Sequence, residues 1–387
     1  MFTQIINANI VLDNEILQNA VCRLQDGKIT YVGKEIVPAE NTIDAMGGYL
    51  LAGFIDIHCH GGDGYDFMDA SVEEMKHIAD FHLGNGTTSL VATTMTAPTE
   101  EIEQCLINYK ECVSKYPESS LVGVHMEGPW FSPEECGAQP TAFFQKPDNS
   151  YIERLKKDYP FIVRVSVAPE VDQNFEFGKK CQELGLIVSA GHTGATFSDM
   201  EKAKECGYSL MTHLYSGMKG VFRKNAYRTA GAVEAGLYFD DLYVEIITDG
   251  KHLPKELLKF IYKCKGSDKT CLITDGTRAC GYKDGMKSVT GSMKNGTECI
   301  VRDGVAFCMD GQGFSGSVAT SDRLVRVMHF EAEIDLCEVS KMISKTPAKV
   351  MGLTDRGEIK EGYRADLVIM DKQLNVKNVI LNGKIIK

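Results

Sequence analysis

Between residues 51 and 274 the chain alternates short apolar runs with longer stretches of mixed polarity. The runs are 51–57, 88–94, 121–125, 161–168, 186–190, 210–214, 243–248 and 271–274. They have the length of strands but not the apolar–polar alternation of a sheet with one wet face, so burial on both faces is expected. Between them the spacing predicts helices, among them 72–84 after Ser71, 99–115 after Pro98, 173–184, 197–206 and 254–264. Eight strand-then-helix units in about 230 residues predict a closed (β/α)8 TIM barrel of the α/β class. An open doubly wound sheet is the rival. Neither a G-x-G-x-x-G fingerprint nor a Walker P-loop follows any of the eight runs, which disfavours it.

The two ends read differently from the middle. Residues 4–12 and 21–33 have strand character around an Asp26-Gly27 turn, and 365–371 and 379–386 repeat the style around Asn382-Gly383. Neither end is large enough for a core of its own. The expectation is one small β-sandwich domain built from residues 1–48 and 355–387, beside a barrel spanning 49–354. Turn signals at Asn295-Gly296, Asp303-Gly304 and Asp310-Gly311 predict a β insertion near 284–312.

Barrel enzymes place their chemistry at the C-terminal ends of the strands. Here those ends carry His58 and His60, His125 and Glu127, His192, His213, Asp249 with His252, and Asp275. Alternation along a strand points His58 and His60 the same way and Cys59 the other. Imidazoles with carboxylates suit zinc or divalent iron, manganese or cobalt, in one or two ions. His77, His82 and His329 fall in helices and read as structural, and His125 reads as lining the barrel.

Composition narrows the partners. A net charge of −11 argues against nucleic acid and anionic membranes. Thirteen cysteines without a C-x-x-C pair read as reduced thiols. No apolar stretch approaches the ~20 residues of a membrane span, and no secretory leader pattern opens the chain, so a cytoplasmic location is expected.

The blocks Val124-His-Met-Glu-Gly-Pro-Trp130, Ser189-Ala-Gly-His-Thr-Gly-Ala-Thr196, Thr212-His-Leu-Tyr215, Ile273-Thr-Asp275 and Gly357-Glu-Ile-Lys-Glu-Gly-Tyr-Arg-Ala-Asp-Leu-Val368 resemble the N-acetylglucosamine-6-phosphate deacetylase family of the metal-dependent amidohydrolase superfamily. The resemblance implies hydrolysis of the acetamide of an N-acetyl amino sugar phosphate. It implies that Glu127, His192 and His213 hold the metal shared across the family. His58 and His60 would hold a second, with Glu127 bridging and Asp275 nearby as the acid–base group. Many relatives outside the family bridge through a lysine on the fourth strand; the run 161–168 has none. A homodimer is also implied.

On the substrate side the chain departs from the family pattern. Gln139 stands where the family has histidine, Ser216-Gly217 replace Asn-Ala, and the phosphate-binding arginine segment becomes 222–228, in which either Arg223 or Arg228 could serve. His252 matches a substrate contact. Two rival readings share these residues. One is an amidohydrolase for another amide, such as an N-acyl amino acid or dipeptide; the other is a catalytically retired barrel serving as a scaffold.

Overall fold

Both chain ends enter one eight-stranded sheet. In this computed structural model, which describes residues 2–311 and 313–387, Phe2–Val11, Ile16–Gln25 and Lys28–Gly33 form an antiparallel meander, and Leu367–Met370, Val376–Leu381 and Lys384–Ile385 form another. Tyr49–Ala52 joins the two, pairing parallel with Phe2–Val11 and antiparallel with Leu367–Met370, and Asn41–Asp44 pairs with Phe2–Val11. The sheet encloses an apolar cluster that draws Ile5, Ile10 and Leu50 from one end and Leu367 and Ile380 from the other. This is the small β unit built from both termini.

The run 51–57, which reads as one strand, serves two sheets. It divides at Gly53, between Tyr49–Ala52 and Phe54–Cys59. A Cβ at Gly53 would meet Thr88 Oγ1 at 2.1 Å, so the crossing point needs glycine. Both halves are buried, and hydrophobic pattern alone therefore hides the break.

The barrel strands are β1 (Phe54–Cys59), β2 (Thr87–Thr94), β3 (Leu121–Glu127), β4 (Ile162–Val167), β5 (Ile187–Ala190), β6 (Tyr208–Met211), β7 (Tyr243–Ile247) and β8 (Thr270–Ile273), paired parallel in chain order. Closure occurs where β8 meets β1: Asp275 N–H donates to His58 O at 3.0 Å and His60 N–H to Gly276 O at 2.7 Å. One helix follows each strand: α1 (Val72–Gly84), α2 (Thr99–Lys115), α3 (Asn149–Asp158), α4 (Glu176–Glu183), α5 (Phe197–Glu205), α6 (Ala232–Tyr238), α7 (Lys255–Lys265) and α8 (Ser321–Arg326). Ser71 starts α1 through a reciprocal capping box with Glu74. The helix expected over 173–184 begins later, because Asn174 and Phe175 are left-handed and Asp172 reaches past them to accept the N–H groups of Phe177 and Gly178, both at 2.9 Å.

Between β8 and α8 the chain forms an antiparallel meander of Lys287–Thr290, Thr297–Arg302 and Val305–Cys308. Gln312, the last residue of the expected insertion, lies outside the described residues, as does Met1. Inside the barrel, Ile55, Val91, Leu210, Ile247 and Ile273, from β1, β2, β6, β7 and β8, share one apolar cluster. A layer of buried polar side chains accompanies it, among them His125, which bonds Ser166 Oγ at 2.7 Å, and Ser166, which bonds Thr212 Oγ1 at 2.7 Å. Among the described residues no helix is long and apolar enough to cross a membrane.

Candidate active site

Five strands deliver one side-chain cluster. β1 presents His58 and His60, while Cys59 turns outward to place Sγ 3.3 Å from His82 Nε2 on α1. β3 ends on Glu127, followed by a cis Gly128–Pro129 bond and the buried Trp130. His192, His213 and Asp275 lie just beyond β5, β6 and β8, with φ of 46°, 29° and 47°. Non-glycine residues enter that region at a cost of order 1 kcal/mol or more, and such positions concentrate at functional sites. Neighbouring carbonyls hold two of these rings: His192 Nδ1 donates to Glu135 O at 3.0 Å and His213 Nδ1 to Ser216 O at 3.1 Å.

Glu127 is the centre. Its Oε1 lies 2.8 Å from His213 Nε2, 3.2 Å from His192 Nε2 and 3.5 Å from His58 Nε2, and its Oε2 lies 3.2 Å from His60 Nε2. Asp275 Oδ1 is 3.5 Å from His58 Nε2 and 3.3 Å from His60 Nε2. Two ligand sets emerge, His58–Glu127–His213 and His58–His60–Asp275, each with its donor atoms within 4.8 Å of one another. His58 Nε2 is buried without a hydrogen-bond partner, between two carboxylates at 3.5 Å. An orphaned imidazole nitrogen among carboxylate oxygens is the donor chemistry a divalent ion requires, so these residues fit one.

Before an ion binds, the cluster holds protons. Burial opposes charge on His58, but the Glu127 and Glu245 carboxylates outweigh it and raise the ring to about 9. His60 is likewise opposed by burial, yet Asp275 and Glu127 lift it well above the imidazole range. Burial pushes the Glu127 and Asp275 carboxyls up, and the surrounding histidines more than reverse it, so both are held low. A metal must therefore displace protons from rings that carry them at neutrality. Affinity is expected to rise with pH through neutrality until His58 titrates near pH 9, and to fall in acid. Calorimetric titration in buffers of different ionisation enthalpy counts the protons released; uptake without release would contradict this.

Above the cluster opens a cavity of about 230 Å³ whose lining includes His60, Gln139, Ser216, Gly217, His252 and Asp275. Gln139, expected to face substrate, has its amide engaged: Nε2 donates to Glu127 Oε2 at 2.6 Å and Oε1 accepts from Thr96 N–H at 2.9 Å. Gly217 packs on His192, where a Cβ would meet Nδ1 at 2.7 Å, and its φ of 53° suits glycine. His252 Nδ1 pairs with Asp249 Oδ2 at 2.9 Å, which leaves Nε2 as the edge available to a ligand. Arg223 and Arg228 stand opposite each other on an exposed hairpin, Phe222–Lys224 with Tyr227–Thr229, and neither lines the cavity. Sequence reasoning missed Arg164 and Glu245, a buried pair beneath the histidines. The available signal was a single charge inside each of two apolar runs.

The Amidohydrolase family model matches residues 49–386. The chain is 34% identical to the N-acetylglucosamine-6-phosphate deacetylase of Bacillus subtilis (strain 168), over 97% of this chain and 95% of that protein. The chain belongs to the N-acetylglucosamine-6-phosphate deacetylase family of amidohydrolases. Members are metal-dependent hydrolases, and this chain is a hydrolase. The chain is also 29% identical to the N-acetylgalactosamine-6-phosphate deacetylase of Escherichia coli O157:H7, over 99% of both chains. The crystal structure of N-acetylglucosamine-6-phosphate deacetylase from Pasteurella multocida superposes with a TM-score of 0.92 at 30% identity, covering 100% of this chain and 99% of that one.

Proposed function

We propose that this hydrolase converts an N-acetyl amino sugar 6-phosphate, N-acetylglucosamine 6-phosphate or a close relative, and water to the amino sugar phosphate and acetate. The observation that supports it most is the convergence of His60, Glu127, His192, His213 and Asp275 on one cavity, with His58 packed against Glu127 and Asp275. Glu127, His192 and His213 would hold one divalent ion, and His58, His60 and Asp275 a second, with Glu127 shared. Zinc suits this imidazole-and-carboxylate set, and iron, manganese and cobalt are the alternatives. When bound, such an ion lowers the pKa of water toward ~7 and polarises the amide carbonyl.

The chain's own groups complete the reaction. Asp275 borders the cavity and is held ionised, so it can accept a proton from the attacking water and return it to the departing nitrogen. His252, anchored by Asp249, offers Nε2 to a sugar hydroxyl. Gln139 orients Glu127 rather than reaching freely toward substrate, and the Ser216 carbonyl aims His213.

Among the described residues no lysine or arginine lines the cavity, so a phosphate must be met from elsewhere. Two arginines facing each other across a hairpin repel unless an anion lies between them. We propose that the chain forms a homodimer in which this hairpin reaches the cavity of the second copy. Arg223→Ala with Arg228→Ala is then expected to raise KM for the phosphorylated sugar ~10–100-fold, the scale of a lost charged hydrogen bond, while leaving the unphosphorylated sugar unaffected. Thirteen free cysteines, most of them buried, support a reducing cytoplasmic setting.

Amine release from N-acetylglucosamine 6-phosphate, N-acetylgalactosamine 6-phosphate, both unphosphorylated sugars and a panel of N-acyl amino acids tests the substrate class. Turnover of a sugar phosphate is expected. Turnover confined to non-sugar amides would overturn the proposal, and silence across the panel with metal bound would favour a scaffold.

A further inference from the structure

Beneath the cluster, β4 and β7 bury an ion pair that the hydrolytic steps do not use. Arg164 and Glu245 are both completely buried. Each Nη of the guanidinium meets one carboxylate oxygen, with Nη2 at 2.9 Å from Oε2. The same guanidinium donates to Ser189 Oγ at 2.8 Å, Thr212 Oγ1 at 3.0 Å and Ile57 O at 3.3 Å. A fully desolvated ion pair contributes little net stability over a packed apolar pair. Stability alone therefore does not account for it.

The contacts of Glu245 supply another reason. Its Oε2 lies 3.3 Å from His58 Nδ1 and accepts the backbone N–H of His213 at 3.3 Å. A carboxylate at Nδ1 keeps the ring proton there and leaves the lone pair on Nε2, the nitrogen that faces Glu127 and Asp275. Arg164 fixes where that carboxylate sits, because it is tied to β1, β5 and Thr212 at once.

We infer that Glu245, clamped by Arg164, is a positioning residue that sets His58 in its Nδ1–H tautomer and so governs the affinity of the ion on the His58–His60 side. The inference rests on the two-ion reading above and extends it from the ligands to the groups that aim them.

Two double variants separate the hydrogen bond from the charge. Arg164→Met with Glu245→Gln removes the ion pair but leaves an amide oxygen for His58; Arg164→Met with Glu245→Leu removes both. Titrated with Co²⁺ and followed by visible absorption and equilibrium dialysis, the unaltered chain should take up two equivalents. The leucine variant should bind the second ~10–100-fold more weakly, with the first much less affected, while the glutamine variant, which keeps the hydrogen bond but loses the clamp, falls between it and the unaltered chain. Equal weakening of both equivalents, no weakening, or a glutamine variant that behaves like the leucine one would overturn the inference. If the leucine variant does not fold, ¹⁵N-histidine spectra of the zinc-loaded unaltered chain decide, with His58→Gln for assignment. Coordination through Nε2 with a protected proton on Nδ1 supports the inference, and coordination through Nδ1 overturns it. An unaltered chain that takes up one equivalent only overturns the two-ion reading and this inference with it, and shows so before any variant is compared. Sugar turnover does not enter these readouts.

Discussion

Glu127→Ala is expected to lose nearly all metal and to hydrolyse no amide above background, a fall in rate of at least ~10⁴-fold. Glu127 is the residue whose two oxygens face His58, His60, His192 and His213 together, so its removal opens the His58–Glu127–His213 set and takes a carboxylate oxygen away from His60 as well. The nucleophile would revert to ordinary water, with a pKa of about 15.7 instead of ~7. The fold should persist, because Glu127 stands at a strand end, outside the apolar packing. Elemental analysis of the purified variant, with circular dichroism as the control for folding, checks both halves. A variant that retains its metal would show that Glu127 is not the bridge.

Asp275→Asn is expected to behave differently. The amide keeps the shape and one oxygen toward His58 and His60, so most of the metal should remain. What disappears is the ability to take a proton from water and return it, and kcat should fall ~10²–10⁴-fold. The ionised state that this role requires is already favoured, since His60 and His58 outweigh the burial that would otherwise raise the carboxyl. Rates and metal content measured on the same sample separate this outcome from loss of the ion. A rate within a few-fold of the unaltered chain would assign the proton transfer to another group.

The strand-end residues were legible because barrel topology gathers the ends of distant strands in one place. His58, Glu127, His192, His213 and Asp275 could be brought together from their positions alone, before any distance was known. Helices over 72–84 and 99–115 were readable to the residue, since Ser71 and Pro98 act locally. The start of α4 was not, because the side chain of Asp172 caps it across two left-handed residues. Arg164 and Glu245 stayed hidden for a related reason. They are 81 residues apart and neutralise each other only once the barrel closes. Gln139 was visible as a departure from the family pattern, but its grip on Glu127 depends on the loop folding back over β3.

A metal held by this cluster is proposed to drive deacetylation of a sugar phosphate. Acetate release from N-acetylglucosamine 6-phosphate, measured on one preparation before chelation, after exhaustive chelation and after reloading with zinc, tests it most directly. Turnover that vanishes with the metal and returns with it is the predicted result. Turnover that survives complete removal of metal would contradict it.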